Sequence, residues 1–290
     1  MRTEYKFLQN AYSPNLRNTE AGQELLIPKM SALTDEDICQ FNHEGYLVFE
    51  GLLDDSRNER IKRDVDQLME DRKVPNKPAI PMRYRELGLL TSEPAIVDRV
   101  ASLMEGDQFV HHHIHADCHM PGNPGVTWHH DYEQLPQTNR SHLMVHVFMY
   151  HSGLNGEIGD LLVLPGSHKK TMSRDAFQQF ETADLPGSRT INELAPASVV
   201  IVHSALQHAR RAKPAKPGSK RYFVDTSYCQ LGIIWPTIRQ FQQYNDMALE
   251  LGWDRNGKYA YLYEEGHFFF KEDQEEAFES RNRGSVAMQF

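Results

Sequence analysis

The segment Thr127-Trp128-His129-His130-Asp131 carries the clearest chemistry in this 290-residue chain. On a strand, residues two apart point to the same face. His129 and Asp131 would then set an imidazole beside a carboxylate. That is two-thirds of the 2-His-1-carboxylate triad with which non-haem iron sites keep positions open for reactants. The third ligand has to come from a distant strand. His208, at the end of the apolar run ASVVIVHSALQH, is the leading choice. His203 competes with it, but five residues along one strand would place the two on opposite faces. Arg221 opens the next apolar stretch, after a connector holding Pro214, Pro217 and Gly218. A hairpin there would set Arg221 beside His208, where a guanidinium could pair a carboxylate through two parallel hydrogen bonds.

Fifteen histidines are an unusual number, and His111, His113 and His115 alternate along FVHHHIHADCH. A regular strand would put these three on one face, to line a pocket or form a second metal site. His130 points away from the triad by the same parity, and His168 belongs to a PGSH turn. The balance of 31 Lys and Arg against 40 Asp and Glu gives a net charge of -9, which argues against a nucleic-acid binder. A mean hydropathy of -0.60 and the lack of a long apolar run argue against a membrane span. The polar start MRTEYKFLQN does not read as a secretory signal. Cys39, Cys118 and Cys229 form neither a CxxC pair nor a disulfide framework, so a cytoplasmic protein is expected.

The elements that must position these groups change character along the chain. Residues 1–30 read as an extended arm. Thr34 with Asp37 and Ser56 with Glu59 are capping-box patterns at the starts of two helices, the first ending at Gly45. Tyr46–Phe49 is a short strand, and Pro94 opens a helix to about residue 104. MRYRELGLL presents Arg83 and Arg85 on one side if extended. From residue 108 to 232 short strands and turns take over, as in a sandwich or jelly roll. The chain turns helical again to residue 290, with an aromatic patch at Phe268–Phe270. The expectation is an α+β fold in a single domain over 1–290: an N-terminal arm and helices (1–107), a β core (108–232) and a C-terminal helical segment (233–290). The helices would cover one face of the core.

LTDEDICQFNHEGYLVFEGLL, WHHD, GDLLVLPGSH and ASVVIVHSALQH with Arg221, taken together over residues 33 to 232, resemble the phytanoyl-CoA dioxygenase family of Fe(II)/2-oxoglutarate oxygenases. The resemblance implies a double-stranded β-helix, or jelly roll, with Fe(II) held by His129, Asp131 and His208. It implies 2-oxoglutarate anchored by Arg221, packed by Phe148 and contacted by one residue of the preceding strand, with His113 taken for that place. O2 is the co-reactant, and a small polar metabolite or natural product the expected substrate. Hydroxylation of an unactivated C–H bond is the expected reaction; the alternatives are desaturation, cyclisation or epimerisation at the same site, or a non-catalytic jelly-roll binding module. Arg83, Arg85, Asp225 and Tyr150 are the substrate-facing candidates, and the assembly is a monomer or homodimer. Two positions depart from the family: Arg210 stands where many relatives carry a small hydroxyl residue, and Ile158-Gly159 replaces an Asn-Gly. Asp131 is retained, whereas related halogenases replace it.

Overall fold

Local signals set the first helix. Thr34 accepts from the Asp37 amide while the Asp37 carboxylate reaches back to the Thr34 amide, closing the capping box of α1 (Asp35–Glu44). Gly45 ends it at φ 89°, a conformation costly for any residue with a side chain. A Cβ at Gly45 would also lie 2.5 Å from His168 Nδ1 and 2.8 Å from Leu206 Cδ1. Gly45→Ala is therefore expected to destabilise the protein by about 2–4 kcal/mol, joining the positive-φ cost to crowding. A denaturant midpoint unchanged from wild type would contradict this.

The computed structural model describes residues 32–104, 106, 108–133, 140–212 and 220–274. The expected N-terminal arm, the Pro/Gly connector before Arg221 and the end of the C-terminal segment lie outside them. The other helices are α2 (Asp55–Arg72), α3 (Arg85–Leu90), α4 (Pro94–Leu103) and α5 (Arg239–Glu250). The strands are β1 (Tyr46–Phe49), β2 (Phe109–His119), β3 (Val126–His129), β4 (Met144–Tyr150), β5 (Leu154–Asn155), β6 (Leu161–Val163) and β7 (Arg189–Ile191). They continue with β8 (Glu193–Leu194), β9 (Ser198–His203), β10 (His208–Arg210), β11 (Arg221–Gln230), β12 (Trp235–Thr237) and β13 (Phe268–Phe270). No helix among the described residues is long and apolar enough to cross a membrane.

Two antiparallel sheets dominate, one ordered β1-β9-β4-β11-β2 and the other β3-β10-β6-β7. The central strands β4 and β9 are largely apolar on both faces, with His146 of β4 as an exception, because both faces are covered. Val145, Val147, Met149, Val199 and Ile201 pack under the helices, with Ile61, Val65 and Leu68 of α2 and Ile96 and Val100 of α4. Their alternates Phe148, Tyr150, Val200 and Val202 join Leu161 and Val163 of the second sheet in a separate cluster. Each fully buried aliphatic or aromatic side chain contributes about 1.5–3 kcal/mol to holding these layers.

Four sequence expectations need correction. Asp54, not Ser56, caps α2: its carboxylate accepts from the Arg57 amide and from the Ser56 hydroxyl. MRYRELGLL is a turn of 3₁₀ helix, Pro81–Arg83, followed by α3, not an extended segment. The run 198–208 is not one strand, since it leaves the first sheet at His203 and enters the second at His208. β10 and β11 consequently do not form a hairpin. β10 pairs with β3 and β6, while β11 pairs with β2 and β4.

Candidate metal centre and its adjoining cavities

The change of sheet at residues 204–207 is what brings the triad together. In the second sheet His208 lies directly opposite His129. Asp131, just past the end of β3, is fixed by its amide donating to the Ser204 carbonyl at 2.7 Å. His208 Nε2 stands 3.2 Å from Asp131 Oδ2, and His129 Nε2 stands 3.6 Å from Oδ1. One donor atom from each residue lies within 4.8 Å of the others. Both imidazoles are oriented alike: His129 Nδ1 donates to the Thr127 carbonyl (2.7 Å) and His208 Nδ1 to the Leu206 carbonyl (3.0 Å). Each ring thus turns an Nε2 lone pair toward the carboxylate, which is how outer hydrogen bonds prepare metal ligands.

Charge reinforces the geometry. Burial, then the neighbouring His208, lowers His129 to about 4. Burial alone would raise Asp131, but the His208 hydrogen bond and the surrounding imidazoles hold it well below the usual carboxylate range. A neutral imidazole and an ionised carboxylate are the protonation states a divalent metal requires. Arg174, which sequence reasoning passed over, donates to Asp131 Oδ1 at 2.9 Å and steadies it from outside. His203 is elsewhere, stacked on Phe41 and beside His168. His130 is buried with its Nε2 on the Met172 carbonyl.

A cavity of about 180 Å³ opens between the two sheets beside the triad. Arg221 lies in it, 2 % exposed, although His208 and Arg221 belong to facing sheets and not to neighbouring strands. Its guanidinium sits over the rings of Tyr150 (5.1 Å) and Phe223 (4.9 Å), with Nη1 3.0 Å from His119 Nδ1. Its Nε is buried without a hydrogen-bond partner among the described residues. Phe148 lines the same cavity, 5.3 Å from the His208 ring. Arg210 is there too, lowered to about 10 by burial and then by the charge of Arg221. Among the described residues neither guanidinium is in an ion pair. A buried cation and a half-buried one, neither with a counter-ion among the described residues, favour a small dianion. The position where a hydroxyl residue was expected thus supplies a second positive charge to this cavity.

A larger cavity, about 520 Å³, adjoins the first, and Asp131, His115 and Asp225 line both. His113 lines the larger one with His146 and Asp225, apart from Arg221. Tyr150 lines only the smaller. Arg83 and Arg85 line neither; both are exposed, and Arg85 reaches the buried carboxylate of Glu86. The arginines that do face the larger cavity are Arg72 and Arg174. His111, His113 and His115 do not share one face. A register shift in β2 sets Ser227 opposite His113 and Tyr228 opposite His111, sending His111 to Asn245 and Tyr263 under the helices. His146 was missed because it sits in a strand buried on both faces, where alternation gives no sign of a polar side. Its pairing with Asp225 has no mark in either segment alone.

A family profile described as phytanoyl-CoA dioxygenase matches residues 41–212, more than half of the chain. No curated protein matches the sequence. Among solved structures, the fold is similar to HygX from Streptomyces hygroscopicus with nickel and 2-oxoglutarate bound (18% identity, TM-score 0.56, 70% of this chain and 89% of that one). It is similar also to EctD from S. alaskensis with 2-oxoglutarate and 5-hydroxyectoine (15% identity, TM-score 0.57, 68% and 76%). A third is SnoK, a non-heme alpha ketoglutarate dependent carbocyclase from nogalamycin biosynthesis (15% identity, TM-score 0.53, 68% and 84%).

Proposed function

Because the chain belongs to the phytanoyl-CoA dioxygenase family of Fe(II)- and 2-oxoglutarate-dependent oxygenases, we propose that it hydroxylates an unactivated C–H bond of a small polar metabolite or natural product, releasing succinate and CO2. The observation that carries this reading is the pairing of the His129, Asp131, His208 cluster with an adjoining cavity walled by two arginines, neither in an ion pair among the described residues. Bound iron would supply the activation of O2 that such a bond needs. His129 and His208 would ligate through Nε2, and Asp131 through a carboxylate oxygen, with Arg174 on Oδ1 keeping it aimed. Arg221 would hold the far carboxylate of 2-oxoglutarate, Arg210 would add charge, and Phe148 would pack along the chain of the diacid.

The larger cavity would take the substrate. Its walls carry histidines, Asp225, Glu133 and arginines beside an apolar part that includes Ile114, Ile238 and Phe241, and the number of ionisable groups suits a polar molecule better than a long acyl chain. The retained Asp131 carboxylate favours hydroxylation over halogenation. The facing sheets support a double-stranded β-helix core, and we read 1–290 as one oxygenase domain.

Anaerobic titration of the metal-free protein with Fe(II) and 2-oxoglutarate, followed in the visible region, tests the reading. A weak charge-transfer band that saturates at one equivalent of each is the expected result, with succinate release on a panel of polar substrates as its sequel. Bound iron without the band would sink the 2-oxoglutarate assignment.

A further inference from the structure

A second constellation of donors lies on the inner face of the larger sheet. His113, His146 and Asp225 come from the adjacent strands β2, β4 and β11, with one donor atom from each within 4.8 Å of the others. The register explains the grouping. His113 and His146 both lie opposite Ser227, one on either side, and Asp225 is two residues before Ser227 on the same face of β11. The strand alternation that builds the sheet thus delivers two imidazoles and a carboxylate to one spot.

Their surroundings are those of prepared ligands. His112 Nε2 donates to the Pro236 carbonyl (2.9 Å), which leaves His112 Nδ1 as an acceptor for His113 Nδ1 at 2.6 Å. His113 is left with Nε2 as its lone-pair nitrogen, and its ring is held flat against Phe241, centroids 4.5 Å apart. His146 and Asp225 are 3 % and 8 % exposed. His146 Nδ1 and Asp225 Oδ2 are 2.8 Å apart, while His146 Nε2 and Asp225 Oδ1 are buried with no hydrogen-bond partner among the described residues. Buried polar atoms are seldom left without one, and here they line a cavity of about 520 Å³.

We propose that His113, His146 and Asp225 form a second divalent-cation site, separate from the His129, Asp131, His208 cluster and open to the larger cavity. Two imidazoles and a carboxylate suit zinc or cobalt, and three protein ligands leave a position for a water or a substrate oxygen. The competing occupant is a proton. Burial works to lower His146, but the Asp225 carboxylate overrides it and raises the imidazole to about 9. The inference does not depend on the iron assignment, since no residue is shared by the two clusters.

Equilibrium dialysis of the metal-free protein against Zn(II) at about pH 8, followed by metal analysis, decides it. Wild type should retain two equivalents. His146→Gln and, as a milder change, His113→Asn should each retain one, and Asp131→Ala should also retain one, lost from the other cluster. Circular dichroism and the denaturation midpoint report whether each variant is folded, and at least one of the two histidine variants must match wild type for the comparison to count. Wild type holding a single equivalent, kept in His146→Gln, would overturn the second site and leave the proton as its occupant. Two equivalents retained in every folded variant would also overturn it, as adventitious binding elsewhere on a histidine-rich chain.

Discussion

Alanine in place of Asp131 is expected to lower turnover, read as succinate release, by about three orders of magnitude or more, corresponding to several kcal/mol of lost metal stabilisation. Asp131 is the only anion in its cluster and the group that both imidazoles face. Its removal leaves two neutral nitrogens, with Arg174 placed to repel a cation instead of steadying its ligand. The iron content of the isolated protein should fall with the activity. His208→Ala should behave alike, whereas His203→Ala should keep its iron, because His203 packs against Phe41 and His168 away from the cluster. Full iron occupancy in Asp131→Ala, or its loss in a folded His203→Ala, would show that the wrong residues have been assigned.

Arg221→Ala is expected to weaken 2-oxoglutarate binding about a hundredfold while leaving iron content unchanged. Truncating one partner of a buried, hydrogen-bonded charge pair costs about 2–5 kcal/mol, much of it from leaving the other charge enclosed and unpaired. The value belongs at the lower end here because Arg210, in the same cavity, still offers a positive charge. Arg221→Lys should recover part of the affinity, since it restores a charge but not the planar fork. Anaerobic titration of the charge-transfer band measures the affinity directly. An unchanged dissociation constant in Arg221→Ala would remove Arg221 as the anchor.

Much of the scaffold was legible because its signals are local. Thr34, Asp37 and Gly45 specify α1 without help from the rest of the chain, and Pro94 opens α4 as read. The misreadings share one physical origin, which is that tertiary context chose between local options of similar merit. Asp54, Asp55 and Ser56 offer rival caps within three residues, and the chain used the first. The run from Ser198 to His208 holds no Gly or Pro, and its one polar break, His203-Ser204, is too short a signal to mark the turn where it changes sheets. The extra residue of β2 near His112 is equally silent, yet it undoes the period-two argument for His111, His113 and His115. The pairs that needed distant contacts, Arg174 with Asp131 and His146 with Asp225, could not be read from spacing at all.

The separation of the triad and Arg221 onto facing sheets has a bearing on which diacid the protein would accept. β3 and β10 carry His129 and His208, and β11 carries Arg221. Packed sheets keep a spacing of about 10 Å, set by side chains such as Phe148 and Phe223 wedged between them. On the proposed reading the gap works as a calliper: one jaw grips the 2-oxo acid end and the other the distal carboxylate. Selection by carbon count would then be a property of the sandwich itself, written in the thickness of its core and not in any loop that closes over the ligand.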